Sequence, residues 1–323
     1  MHRLFCGLAG ALVLLAASDQ VAAQSWPTRP IKFIVTQAAG GTPDIICRLI
    51  TDKLSRALGQ QVVVENRPGG ANVIGAQAAA RSAPDGYTFL FATAAALVTN
   101  PLTFKSLPYD PTRDFVPVSM VASNPFFLLA NPGVPASTLP ELIALDKAAP
   151  GKLSAATDGH RNFSGMLIAW FNKRAGTGIT PVPYASMPQG TQDALAGRVQ
   201  LVVLAVPSAA PLMAQGQLRG LAVSSAKRLA GFESIPAISE TLPGFDFIGW
   251  FAVVAPTGTP ADVIERMNRE MDGALKDAEI ARRMREVGMY SDGAGIPEQT
   301  AAFLRAQSGA WGKIIQDIGL QPE

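Results

Sequence analysis

Short runs of β-branched and apolar residues alternate along this chain with longer stretches whose apolar residues recur every three or four positions. That alternation is the pattern of parallel strands joined by covering helices. Ile31 to Val35 reads as the first strand. Behind the Gly-containing loop Thr36 to Thr42, Pro43 opens a helix in which Ile46, Ile50, Leu54 and Leu58 repeat every four residues. A proline in the first helical turn is a start signal, because the N–H it lacks would have had no intrahelical acceptor. Val62 to Glu65 reads as the next strand, Val73 to Arg81 as a short helix, and Asp85-Gly86 as a turn into the strand Thr88 to Ala92.

The pattern changes at Phe115 to Val121 and Phe126 to Ala130, two extended runs with no helix between them. Consecutive strands of this kind are where a chain can cross between two lobes. A second alternation follows. Thr138 with Glu141 forms a capping box for a helix through Ala148. Strands at Leu153 to Ala156, Ile179 to Val182, Val199 to Leu204 and Arg219 to Val223 are interleaved with helices at Phe163 to Arg174, Gln189 to Ala196 and Ala209 to Gln215. The apolar run Phe247 to Ala255 is long enough to cross back. Helices then run from Thr259-Pro260 to Lys276, from an Asp277 cap to Val287, and from Pro297 to Ile318. The predicted fold class is α/β, with two Rossmann-like lobes joined by a hinge. Residues 24–122 and 256–323 form the discontinuous first lobe, and residues 123–255, crossing strands included, the second. Open α/β sheets bind ligands at the carboxyl ends of their strands, so two facing lobes imply a ligand cleft that closes.

The N-terminus follows a different rule. Met1-His2-Arg3, an apolar run from Leu4 to Ala17 and small residues up to Ala23 make residues 1–23 a secretory signal peptide. The run is shorter than the roughly 20 apolar residues that span a bilayer, so the mature protein is expected to be exported.

Composition narrows the chemistry. Among 323 residues there are two Cys and two His, and loss of the leader leaves only Cys47 and His160. No internal disulfide, zinc site, iron–sulfur cluster or multi-histidine metal centre can be built from these, and no cofactor is expected. With 16% charged residues and a formal net charge of +2, the chain lacks the basic excess of a nucleic-acid binder.

Two loops carry candidate chemistry. Ala38-Ala39-Gly40-Gly41-Thr42-Pro43-Asp44 lies between a strand and a helix, where small residues let backbone N–H groups and a helix N-terminus approach an anion. It has neither the lysine of a P-loop nor dinucleotide-fingerprint spacing. The corresponding loop of the second lobe, Thr157-Asp158-Gly159-His160-Arg161-Asn162-Phe163-Ser164, gathers the one mature histidine, an arginine and an aromatic ring. Arginine can grip a carboxylate bidentately and histidine can donate to it. The alternative is a solvated loop in which Asp158 or Asn162 caps the helix. A secreted hydrolase using Ser164 and His160 is disfavoured, because Asn162 stands where a G-x-S-x-G elbow needs glycine.

Other residues read as structural: Cys47 as core, Trp250 as packing at the hinge, and Arg282, Arg283 and Arg285 as a solvated helix face. Tyr184, at a strand end before a helix, either reaches the cleft or packs beside it. Asp44 either caps its helix or binds ordered water in the cleft.

A resemblance runs through the chain. Trp26-Pro27-x-Arg29-Pro30-Ile31, Ala39-Gly40-Gly41-Thr42-x-Asp44, Val62-Val63-Val64-Glu65-Asn66-Arg67-Pro68-Gly69, Ala83-Pro84-Asp85-Gly86-Tyr87-Thr88 and Leu107-Pro108-Tyr109-Asp110-Pro111 occur in this order. Val182-Pro183-Tyr184, Asp193, Gly197, Ala222 to Arg228, Leu242-Pro243-Gly244 and Ala255-Pro256-x-Gly258-Thr259-Pro260 continue it. The ordered set resembles the Bug-type periplasmic substrate-binding proteins of tripartite tricarboxylate transporters.

The resemblance implies a Venus-flytrap periplasmic binding protein, monomeric and not an enzyme, that captures a small organic acid for the transporter's membrane subunits. It places the ligand's carboxylate against the loops Ala38 to Asp44 and Thr157 to Ser164, with Thr93-Ala94 and the loop after Leu204, including Val206 and Pro207, completing the cleft. It also tilts Asp44 towards a cleft role. Leu204-Ala205-Val206 lacks the acidic residue many relatives carry there. Together with His160, Arg161 and Phe163, this favours a plain dicarboxylate, with an aromatic one such as terephthalate among the candidates. A sensory receptor for a membrane kinase would use the same fold.

Overall fold

The computed structural model describes residues 26–184 and 186–322, so the expected leader peptide lies outside the described residues. Along the chain, β1 (Ile31–Val35), α1 (Thr42–Leu58), β2 (Val62–Asn66), α2 (Val73–Ala80) and β3 (Thr88–Thr93) come first. A π-helical turn over Ala95–Thr99 then runs into α3 (Asn100–Thr103), and β4 (Phe115–Asn124) follows. The middle of the chain is β5 (Phe126–Ala130), α4 (Leu139–Ala148), β6 (Ser154–Thr157), α5 (Phe163–Ala175) and β7 (Thr180–Pro183), followed by α6 (Met187–Leu195), β8 (Leu201–Ala205), α7 (Val206–Ala214), β9 (Arg219–Val223) and α8 (Ile238–Thr241). Last come β10 (Gly249–Pro256), α9 (Ala261–Leu275), α10 (Ala278–Glu286) and α11 (Pro297–Asp317).

These strands form two five-stranded sheets, ordered β2-β1-β3-β10-β4 and β7-β6-β8-β5-β9. Each has three parallel strands, then one antiparallel strand, β10 or β5, and then an edge strand, β4 or β9, paired antiparallel with it. The same design therefore appears twice, and the loop after β1 is the counterpart of the loop after β6.

Register shows which edges face each other. Thr93, at the carboxyl end of β3, pairs with Phe251, and Gly249 beside it pairs with Asn124, the end of β4. Two residues on, Phe126 opens β5 opposite Ala205, the carboxyl end of β8. The crossing at Pro125 thus joins the ligand edge of one sheet to that of the other. The return crossing leaves the second sheet where the Phe247 N–H donates to the Ser224 carbonyl, and enters β10 at Gly249. Beside the first crossing, an antiparallel bridge between Ser123 and Tyr290 ties the end of β4 to the segment after α10.

β10 lies wholly within the first sheet, so residues 249–255, expected in the second lobe, belong to the first. An apolar run suits a strand buried between β3 and β4 as well as it suits a crossing, and the run alone does not distinguish them.

One core cluster fills the first lobe, with Ile46, Cys47 and Ile50 of α1 against Phe33 and Phe91. A second fills the other lobe around Phe127, Val202 and Val206. A third runs through both, and its densest part is a set of rings: Phe126, Phe163, Phe247, Trp170 and Trp311. Each fully buried large apolar side chain contributes about 1.5–3 kcal/mol to stability. Among the described residues no helix is long and apolar enough to cross a membrane, and no group of potential metal ligands gathers.

Candidate functional site

Six helical segments begin at the facing strand ends: α1, α2 and the π-helical turn in the first lobe, and α5, α6 and α7 in the second. Their cap residues Gly41, Asn72, Ala94, Asn162, Ser186 and Ala205 make no side-chain cap hydrogen bond. Of the helices starting elsewhere, α4 and α10 are closed by their own caps, with Thr138 accepting from the Glu141 N–H and Asp277 from Glu279 and Ile280, whereas α3, α9 and α11 make no side-chain cap bond either. Where such an N-terminus is left open, its backbone N–H groups and the positive end of the helix dipole favour an anion; at α5 the Asp158 carboxylate already accepts from the Ser164 N–H.

In the first lobe, Ala38, Ala39 and Gly40 are exposed at the loop tip, Gly41 caps α1 and Thr42 begins it. Gly40 has φ +81°, the left-handed region that glycine enters without strain. Asp44 holds the loop from beneath. Its carboxylate accepts from the Gly40 N–H at 2.9 Å, Arg48 Nε at 3.0 Å and Asn66 Nδ2 at 2.9 Å. Burial pushes its pKa up, but the Arg48 guanidinium, the Gly40 N–H and the Asn66 amide together outweigh burial and hold the carboxyl below the usual range. Both Asp44 oxygens are engaged by the protein itself, and through the Gly40 N–H they hold the loop.

The neighbouring loops are knitted to this one. Asn66 Nδ2 also donates to the Gln37 carbonyl at 3.0 Å, Thr36 Oγ1 donates to Asn72 Oδ1 at 2.7 Å, and Asn100 Nδ2 donates to the Ala71 carbonyl at 2.7 Å. Thr93 is buried, and its hydroxyl accepts from the Ala96 N–H; Ala94 is half-buried at the start of the π-helical turn. Tyr109 braces that turn by donating to the Ala96 carbonyl at 2.7 Å, and burial raises its phenol to about 12.

In the second lobe, Thr157 is buried at the end of β6 and its hydroxyl points to the Val182 carbonyl. Asp158 turns back onto α5, accepting from the N–H and the hydroxyl of Ser164, while its own N–H donates to that hydroxyl at 2.8 Å. Asn162 Nδ2 donates to the Asp158 carbonyl at 2.6 Å. Gly159 has φ +118°, and a Cβ on Gly165 would sit 2.0 Å from the Gly159 carbonyl oxygen, so α5 can approach the loop only through glycine. His160, Arg161 and Asn162 lie at the tip, His160 and Arg161 exposed.

Several side chains expected in the cleft also make contacts within the protein. Phe163 stacks on Phe126 at 4.2 Å and meets Phe247 edge-on at 4.6 Å, because three rings bury more apolar surface together than one ring buries against a small ligand. An Arg161 guanidinium nitrogen donates to the Gln321 carbonyl at 3.0 Å. Tyr184 packs over Gly190 and donates to Asp193 Oδ2 at 2.8 Å. Val206 is buried in the second-lobe core, while Pro207 is exposed beside Gly288 of the first lobe.

The residues read as structural hold that role. Cys47 is buried, and burial, then Asp44, push its thiol pKa up. Trp250 is 1% exposed and donates to Gln307 Oε1 at 3.1 Å. Arg282 pairs along its own helix with Glu279 and Glu286. Sequence reasoning overlooked Arg48, Asn72, Asn100 and the role of Tyr109. Asn66 and Tyr109 stood within the ordered motifs, which was the available signal.

The model of a family described as tripartite tricarboxylate transporter family receptor matches residues 46–320. A UPF0065 protein of Bordetella bronchiseptica is 39% identical over 99% of this chain and 96% of its own. Among solved structures, Rpa4515 of R. palustris with adipate is 32% identical, with a TM-score of 0.77 over 92% of this chain and 100% of its own. MatC of Rhodopseudomonas palustris with bound malate is 26% identical, with a TM-score of 0.70 over 90% of this chain and 100% of its own.

Proposed function

Because the chain belongs to the tripartite tricarboxylate transporter receptor family, we propose that it captures a small aliphatic dicarboxylate in the periplasm and hands it to the transporter's membrane subunits. As a family member it is a solute-binding receptor and not an enzyme. The observation that carries the ligand class is the gathering of the α1, α2, α6 and α7 N-termini at the carboxyl ends of the parallel strands of the two sheets, where their cap residues make no side-chain hydrogen bond. One carboxylate meets the backbone of the first-lobe loop, and the second meets the loop bearing His160. Adipate in Rpa4515 and malate in MatC support this class. Terephthalate would have to be held without the Phe163 ring, which favours an aliphatic diacid. Residues 1–23 supply the leader that export requires.

Calorimetric titration with adipate, malate, citrate, terephthalate and glutamate tests this reading. The expected result is saturable binding of an aliphatic dicarboxylate. Binding of glutamate alone, or of none of the five, would overturn it.

A further inference from the structure

We infer that α11 and the residues after it position the second-lobe ligand loop, so that an element packed on the first lobe sets how the second lobe presents His160. This rests on residues 158–162 being a ligand loop. Over its first turns α11 lies along β4 and the π-helical turn. There Phe303 meets the Trp250 ring edge-on at 5.4 Å, and Gln307 accepts from the Trp250 indole N–H. Farther along, its contacts move to the other lobe. Trp311 packs against Phe247 at 4.7 Å and Phe163 at 6.4 Å, Asp317 Oδ2 lies 3.4 Å from the Trp170 indole nitrogen, and the Gln321 carbonyl accepts from Arg161 at 3.0 Å.

Those contacts fall on Arg161, Phe163 and Trp170, which are the tip of the loop, the first residue of α5 and the middle of α5. The loop's own bonds, Asp158 to Ser164 and Asn162 to Asp158, fix its shape. They do not fix its orientation towards the first lobe. α11 does, because it touches β4 on one side and α5 on the other. Phe163 also stacks on Phe126, the residue after the crossing at Pro125, so the same rings link the loop to the hinge. Arg161 is therefore a positioning residue.

The test uses the full chain, a truncation lacking residues 319–323, and Trp311→Ala with Trp311→Phe as the conservative rescue. Two quantities are read: amide hydrogen exchange of residues 158–162 in ligand-free protein, and the affinity for adipate and malate. The expected result is about tenfold faster exchange in the loop, with β1, β3 and β8 unchanged, and about tenfold weaker binding, both restored in Trp311→Phe. Unchanged loop exchange in the truncation and in Trp311→Ala would overturn the inference. Faster exchange with wild-type affinity would also overturn it, because the loop would then not serve the ligand. Faster exchange when even the unaltered chain binds neither diacid would support the positioning and sink the carboxylate reading instead.

Discussion

The loops that end β1 and β6 hold equivalent places in the two sheets and are secured by opposite means. The first-lobe loop presents methyl groups and backbone, and is anchored from below by a buried carboxylate with three partners. The second-lobe loop closes on itself through Asp158 and Ser164, carries exposed His160 and Arg161 at its tip, and takes its support from α11. In the proposed reading the first loop meets a carboxylate through its backbone, and the second through the side chains at its tip.

The strongest way to break this contrast is Gly165→Ala. Its Cβ would meet the Gly159 carbonyl at 2.0 Å, and backbone so close cannot swing aside as a side chain can, so calorimetry should show adipate affinity falling at least about a hundredfold, or about 2.7 kcal/mol. Asp44→Ala should come next, lowering stability by about 1–3 kcal/mol in denaturant unfolding, because Asn66 and the Gly40 N–H lose their acceptor. The Asp44 pKa is lower in the folded protein, so this contribution is present above the unfolded value of about 3.9 and is lost as pH falls through the folded value. The difference in stability between wild type and Asp44→Ala should therefore shrink below about pH 4; a difference that grew there would mean the carboxyl is not held by its partners.

Arg161→Ala should weaken adipate binding by about 1 kcal/mol, close to fivefold, while Arg282→Ala, paired only along its own helix, should leave it unchanged. Equal affinities in the two variants would remove Arg161 from any role at the loop. The smallest effect is expected for Gly40→Ala. Its Cβ meets nothing within 4 Å, so only the left-handed backbone opposes it, at about 1 kcal/mol of stability. A loss of adipate affinity as large as that of Gly165→Ala would show that the first-lobe loop is no more tolerant than the second.

Strand positions were legible where a short apolar run stood apart from its neighbours: β1, β5 and β9 match their expected limits. Both candidate loops were legible as loops between a strand and a helix, because a strand, a Gly-containing gap and an amphipathic helix announce themselves in order. The ties between loops were not legible. Asn66 reaches Asp44, and Asn100 reaches Ala71, across spans that no periodicity records. The segment after Thr93, which the resemblance places at the cleft, forms a π-helical turn braced by Tyr109. Phe163 was assigned to the ligand because a ring beside a loop looks the same in sequence whether it meets a substrate or another ring.

The placement of β10 between β3 and β4 bears on the order in which the chain can fold. All strands of the second sheet lie in one uninterrupted stretch, so that lobe can assemble as soon as it is made. The first sheet has to wait, since β3 and β4 keep a vacant slot until the whole second lobe has been synthesised and β10 follows it. Long-range pairing of this kind is slow and leaves sheet edges open to other chains. Newly made chains should therefore misassemble first at β3 and β4, and substitutions that delay β10 should lower the yield of protein before they lower the stability of the molecules that finish.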